Sequence, residues 1–173
     1  MQRLIRLGVA LATVAVLAYT PSTAQAQSAS ITATAVVAGA LTVSNQRNLD
    51  FGTVIPNFSR TVLPDDPTSG HFQVEGGVNA EVALTFSSLP ATLTGLVPGN
   101  TLAVASYSGT YNTVDAGGAG TGFTPASGLT TRLGAAVPAR LHIYMGGVIN
   151  VPAGQAADTY TGTITLDAAY TGN

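Results

Sequence analysis

Tyr160-Thr161-Gly162-Thr163-Ile164-Thr165-Leu166-Asp167-Ala168-Ala169-Tyr170 decides the fold. Its even positions are Tyr160, Gly162, Ile164, Leu166, Ala168 and Tyr170. Its odd positions are Thr161, Thr163, Thr165, Asp167 and Ala169. One face is apolar and the other mostly threonine, the period-two signature of a strand buried on one side. A single such strand is not stable in water. The rest of the chain is therefore expected to supply strands that cover this apolar face.

Those strands are visible upstream. The run Ala29–Val43 places Ile31, Ala33, Ala35, Val37, Gly39, Leu41 and Val43 on one side, with Gly39 as a bend or bulge. Its threonines and valines favour strand over helix. Leu49–Ile55 is a further strand candidate, limited by Pro56. His71–Glu75 and Glu81–Phe86 alternate on either side of Gly76, Gly77 and Asn79, which predicts a hairpin of adjacent strands. Leu102–Tyr107 is a shorter strand, and Ser108–Gly128, rich in Gly, Thr, Ser and Ala, reads as a long loop. Arg140–Met145 alternates cleanly, and Gly146-Gly147 predicts a turn into Val148–Val151. No segment carries a helical period. Short strands between Gly and Pro turns predict an all-β, immunoglobulin-like sandwich of Greek-key type.

The chain opens with Arg3 and Arg6, an uncharged run Leu7–Tyr19, and Ala24-Gln25-Ala26. This is a signal-peptide pattern, with cleavage after residue 26. Thirteen uncharged residues make a helix of about 20 Å, too short for a hydrocarbon core of about 30 Å. Residues 27–173 are then one exported domain with no membrane span, destined for the periplasm, the cell surface or the medium. Residues 27–45 form its N-terminal strand.

Residues 27–173 hold four arginines, no lysine and eight carboxylates, a formal net charge of −4. That is a poor basis for binding nucleic acid, which needs several cations facing phosphates. The absence of cysteine excludes disulfides, thiol catalysis and cysteine-type zinc sites.

Catalytic motifs are scarce. Gly117-Gly118-Ala119-Gly120-Thr121-Gly122 lacks the lysine of a P-loop and the following helix of a dinucleotide fold, so it reads as a flexible loop. Asp50-Phe51-Gly52 matches a kinase tripeptide without the rest of the kinase set, and no serine sits in a G-x-S-x-G elbow. A carboxylate pair for glycoside hydrolysis would be expected to come with aromatic sugar platforms, and there is no tryptophan. His71, near Asp65, Asp66 and Glu75 in sequence, is a weak candidate for a metal or acid–base role. His142 falls on the polar face of its strand, between Arg140 and Tyr144. No residue is assigned to catalysis, to a cofactor or to a metal, and the protein is read as non-enzymatic.

Leu49-Asp50-Phe51-Gly52-Thr53-Val54-Ile55-Pro56, together with Val151-Pro152-Ala153-Gly154-Gln155 and Asp158–Leu166, resembles a bacterial secreted family, the domain-of-unknown-function family numbered 4402. More distantly, the alternating start and the late strand Tyr160–Tyr170 resemble chaperone–usher pilins and spore-coat-U-like subunits. The pilin resemblance implies an incomplete sandwich completed by a neighbour's N-terminal strand. Ile31, Ala33, Ala35, Val37, Leu41 and Val43 would be the donor face. Tyr160, Gly162, Ile164, Leu166 and Tyr170 would be the core or acceptor strand. The implied partners are identical or related subunits and a periplasmic chaperone. An amphipathic strand left unpaired is also a liability that must be covered. The expected function is a structural or adhesive surface protein. The alternative is a periplasmic or surface module binding a carbohydrate or small ligand, with Tyr107, Tyr111 or Phe123 in a concave pocket.

Overall fold

In a computed structural model of the chain, residues 27–35, 37 and 39–172 are described. The expected signal peptide, and positions 36 and 38 of the Ala29–Val43 run, lie outside them. The chain divides into two units at Ala35. In the first, residues 27–35 are exposed and carry no strand. All strands belong to the second.

These strands are β1 (Thr42–Arg47), β2 (Ser59–Val62), β3 (Gly70–Gly76), β4 (Glu81–Ser88), β5 (Thr92–Gly95) and β6 (Thr101–Asn112). They continue with β7 (Thr121–Phe123), β8 (Leu129–Arg132), β9 (Ala139–Asn150), β10 (Tyr160–Thr161) and β11 (Thr165–Tyr170). One short 3-10 turn, Pro125–Ser127, lies between β7 and β8. The fold is all-β. Among the described residues no helix is long and apolar enough to cross a membrane.

Two antiparallel sheets result. The larger runs β1-β3-β9-β6-β5-β10, with β2 also on β9 and β7 also on β6. The smaller runs β11-β4-β8. Val74, Leu141, Ile143 and Met145 of the larger sheet meet Val82, Leu84 and Leu166 of the smaller one in the main core. Full burial of each such side chain contributes about 1.5–3 kcal/mol. A second cluster, Leu102, Ile149 and Val151, lies farther along the larger sheet, with Phe51, Val54, Leu93 and Tyr160 packed on it.

The central strand β9 corrects the sequence reading. It passes straight through Gly146-Gly147 as one twelve-residue strand, with no turn. A side chain at Gly146 would run into the Val62 carbonyl and the Ser108 hydroxyl. One at Gly147 would lie 3.1 Å from the Ser106 carbonyl and 3.2 Å from the Phe51 ring. The two glycines let backbone and rings approach a crowded central strand; they do not bend it.

Four other expectations are corrected. β3 and β4 are not a hairpin: they lie in different sheets, joined by a turn with Asn79 at φ 56°. Each alternates because one face is buried, and facing one another across the core satisfies that as well as pairing does. Ser108–Gly128 is not one loop, since β6 extends to Asn112 and β7 pairs with it. Leu49–Ile55 forms no strand: Asp50 Oδ1 accepts a 2.7 Å hydrogen bond from Gly52 N, and Gly52 takes φ 64°. That local turn competes with extension. Among the described residues of Ala29–Val43 the ladder begins only at Thr42, where β1 joins β3.

The run Tyr160–Tyr170 is split. Tyr160-Thr161 pairs with β5 in the larger sheet, and Thr165–Tyr170 pairs with β4 in the smaller. The chain changes sheets across Gly162–Ile164. A Cβ at Gly162 would sit 2.8 Å from Leu93 Cδ2 and 3.1 Å from Pro90 Cγ, so glycine lets the chain cross close against these two side chains.

Candidate functional site

A concavity lies beside the sheet change at Gly162–Ile164. A groove of about 960 Å³ runs between Asn45–Val54 on one side and Gln155–Ile164 on the other. Its floor includes Phe72, Leu102, Tyr107, Met145, Ile149 and Val151. Phe51 and Val54 hang from the first wall, and Ile164 from the second. The walls carry few charges. Arg47 is committed to Ser69, through its Nε to the carbonyl (2.6 Å) and through an Nη to the hydroxyl (2.8 Å). Asp158 is committed to Asn100 Nδ2 and Val97 N, both at 2.9 Å. These bonds hold its carboxyl below the usual carboxylate range, the Asn100 amide most strongly. Among the described residues, β1 and β11 each end a sheet with one edge unpaired.

The residues expected on a donor face are distributed unequally. Ile31, Ala33 and Ala35 are exposed, Ile31 at 96 %. Val37 is 93 % exposed. Leu41 is half-buried on the main core, and Val43 lies in β1 opposite Val74. Of the expected core strand, Leu166 is buried and Ile164 and Tyr170 are half-buried. Tyr160 packs in the second cluster, and exposed Gly162 marks the crossing. Of the three aromatic residues expected in a pocket, Tyr107 lines the groove. Tyr111 and Phe123 instead meet edge-to-face and pack on the main core.

A second constellation lies on the other face of the larger sheet. His71 (β3) and His142 (β9) sit diagonally on neighbouring strands, because β3 pairs His71 with Tyr144 and Gln73 with His142. Their facing nitrogens, His71 Nε2 and His142 Nδ1, are 3.0 Å apart, one donating and the other accepting. The Tyr144 ring stacks on His71 at 4.2 Å and 11°. The Tyr144 hydroxyl donates to Asp115 Oδ1, and Asp115 stands in the β6–β7 loop. That loop is pinned to the sheet by the Thr110 hydroxyl, which donates to the Gly118 carbonyl (2.6 Å). Both histidines and Tyr144 are thereby buried.

Burial holds both imidazoles below the ordinary histidine value, against the pull of the Asp115 carboxylate in the other direction. Burial and the Asp115 hydrogen bond push the Tyr144 hydroxyl up to about 12. The Tyr144 hydrogen bond in turn lowers Asp115.

The sequence neighbours of His71 are engaged elsewhere. Asp66 accepts from Leu63 N (2.8 Å), and Glu75 pairs with Arg140 (3.1 Å). Asp115 could not be found from spacing, because it is far from both histidines in sequence. The one available signal was three polar aromatic or imidazole side chains on a single register face, His71, His142 and Tyr144.

A family model described as "Domain of unknown function (DUF4402)" matches residues 41–170. No curated protein and no solved structure matches the chain.

Proposed function

The chain belongs to the DUF4402 family, and on that premise we propose that it is a non-enzymatic, exported bacterial surface protein. In this reading it is a structural or adhesive subunit of pilin type with an immunoglobulin-like Greek-key core. Copies join by β-strand addition, with a periplasmic chaperone holding the groove before assembly.

One observation carries the reading. The same chain has an exposed alternating segment, with Ile31 and Val37 uncovered, and a groove of apolar floor and mixed walls beside strands with unpaired edges. An added strand supplies main-chain hydrogen bonds to such an edge, and its alternate side chains fill the floor. In this scheme Ile31, Ala33, Ala35 and Val37 of one copy lie on Phe72, Leu102 and Ile149 of the next.

Sedimentation of the protein, with and without residues 27–40, tests this. The longer form assembles with concentration, the shorter stays monomeric, and a synthetic peptide of residues 29–43 binds the shorter. A longer form that stays monomeric, with residues 29–43 resistant to protease, overturns the reading.

A second reading, a carbohydrate or small-ligand module, is favoured by one feature. The groove volume lies near the upper end of ligand clefts, about 300–1,000 Å³, and Tyr107 lines it. Saturable binding of a sugar by the shorter form, competed by the peptide, would place the ligand in the same groove.

A further inference from the structure

We propose that His71, His142 and Asp115 form a binding site for one divalent transition-metal ion of the zinc class, enclosed between the larger sheet and the β6–β7 loop. One ligand atom from each of the three side chains lies within 4.8 Å of the other two. Two imidazole nitrogens on one tetrahedral zinc, each about 2.0–2.1 Å from it, are roughly 3.3 Å apart. His71 Nε2 and His142 Nδ1 are already 3.0 Å apart. They need to separate by only a few tenths of an ångström while the Asp115 carboxylate closes from its loop.

The donor set selects the class of ion. Two imidazoles and one carboxylate suit zinc, copper, nickel or cobalt, whereas calcium and magnesium take mainly oxygen ligands. Without the ion, one ring donates its proton to the other across the 3.0 Å contact. For both facing nitrogens to bind, the donor ring moves that proton to its other nitrogen, with no net loss. Three protein ligands leave a fourth position for water, and Asp115 is itself exposed.

Two features fit a binding site better than a hydrogen-bonded histidine pair alone. The pair needs no third group, yet a separate loop brings a carboxylate to the same nitrogens. Tyr144 touches two of the three ligands, stacking on His71 and donating to Asp115. Such a contact fixes ligand orientation, as outer-shell partners do in metal sites.

The test uses untagged protein produced from the full sequence and stripped with chelator. Zinc titration by calorimetry is expected to give one site per chain, and cobalt to give the visible absorption of tetrahedral coordination. Zinc should raise the melting temperature of the wild type, since only the folded state assembles the three ligands. Asp115→Asn, which keeps an Oδ1 to accept from Tyr144, should weaken zinc at least ten-fold while the zinc-free protein still folds and melts cooperatively. Should His71→Gln or His142→Gln not fold, imidazole nitrogen chemical shifts of the wild type replace them: His71 Nε2 and His142 Nδ1 must both move on zinc addition. Absence of one-to-one binding overturns the proposal, as does binding that Asp115→Asn leaves intact or that moves neither nitrogen.

Discussion

The Tyr170 hydroxyl donates to the Gly39 carbonyl (2.9 Å) and accepts from Gly77 N (2.7 Å). One oxygen near the C-terminus thus ties the segment before β1 to the turn between the two sheets. Tyr170→Phe removes both bonds and leaves the ring packed on the core. At about 0.5–1.5 kcal/mol per net hydrogen bond, the loss is about 1–3 kcal/mol. Urea unfolding of the purified protein measures it, and a change under 0.5 kcal/mol contradicts the assigned role.

Leu166 and Asp167 are neighbours on opposite faces of β11, buried and exposed respectively. Leu166→Ala opens a cavity between the sheets and should cost about 2–5 kcal/mol. Asp167→Ala should stay within about 0.5 kcal/mol. Equal losses in denaturant melts would mean that the faces of β11 are reversed.

Ile31 and Val37 are almost fully exposed, so Ile31→Asp and Val37→Asp should not shift the midpoint of unfolding. Under strand addition the same changes put a charge on the groove floor of the next copy, which is costly unless paired. Light scattering is expected to show assembly lost in the double variant. Undiminished assembly with both aspartates would exclude this face as the donor.

Asp158 clips the loop after β5 to the approach to β10 through Asn100 and Val97. Its folded pKa is lowered, so the clip stabilises above the unfolded carboxylate value and is lost as pH falls through the folded one. The stability gap between wild type and Asp158→Asn should be constant near neutrality and shrink below about pH 4. A gap that widens in acid would reverse the sign and refute the account.

Zinc bears on stability as well as binding. If Asp115 closes over the histidines, the β6–β7 loop should exchange its amide hydrogens more slowly with zinc present. Hydrogen-exchange mass spectrometry of residues 113–120 measures this. No difference from the chelator-treated protein would mean that the loop takes no part.

Much of the fold was legible because alternation reports burial directly. The faces of β11, with Leu166 in and Asp167 out, follow from period two alone, as do Val74 in β3 and Leu141, Ile143 and Met145 in β9. Partners were not legible. Val74 and Val82 alternate identically whether their strands pair edge to edge or face each other across a core. Gly146-Gly147 has the composition of a turn, and only crowding from Val62, Ser106 and Phe51 explains why it lies inside a strand. Of the candidate sites, the uncovered Ile31 and Val37 were named from the sequence. Of the groove, Tyr160, Gly162 and Ile164 on the second wall were named too, but the first wall, Asn45–Val54, was not, because it comes from a segment distant in sequence.

The sequence by itself determined an all-β chain and which side of most strands faces inward, because a strand's side chains alternate whatever it pairs with. Tertiary structure decided that Tyr160–Tyr170 divides between two sheets, because Tyr160-Thr161 finds its hydrogen-bond partners on β5 and Thr165–Tyr170 on β4. It also decided that part of the polar face of β3 and β9, at His71, His142 and Tyr144, is buried. His71 and His142 alternate as outward residues, and they lie inside because Tyr144 stacks on His71 and the loop carrying Asp115 folds back to the same face.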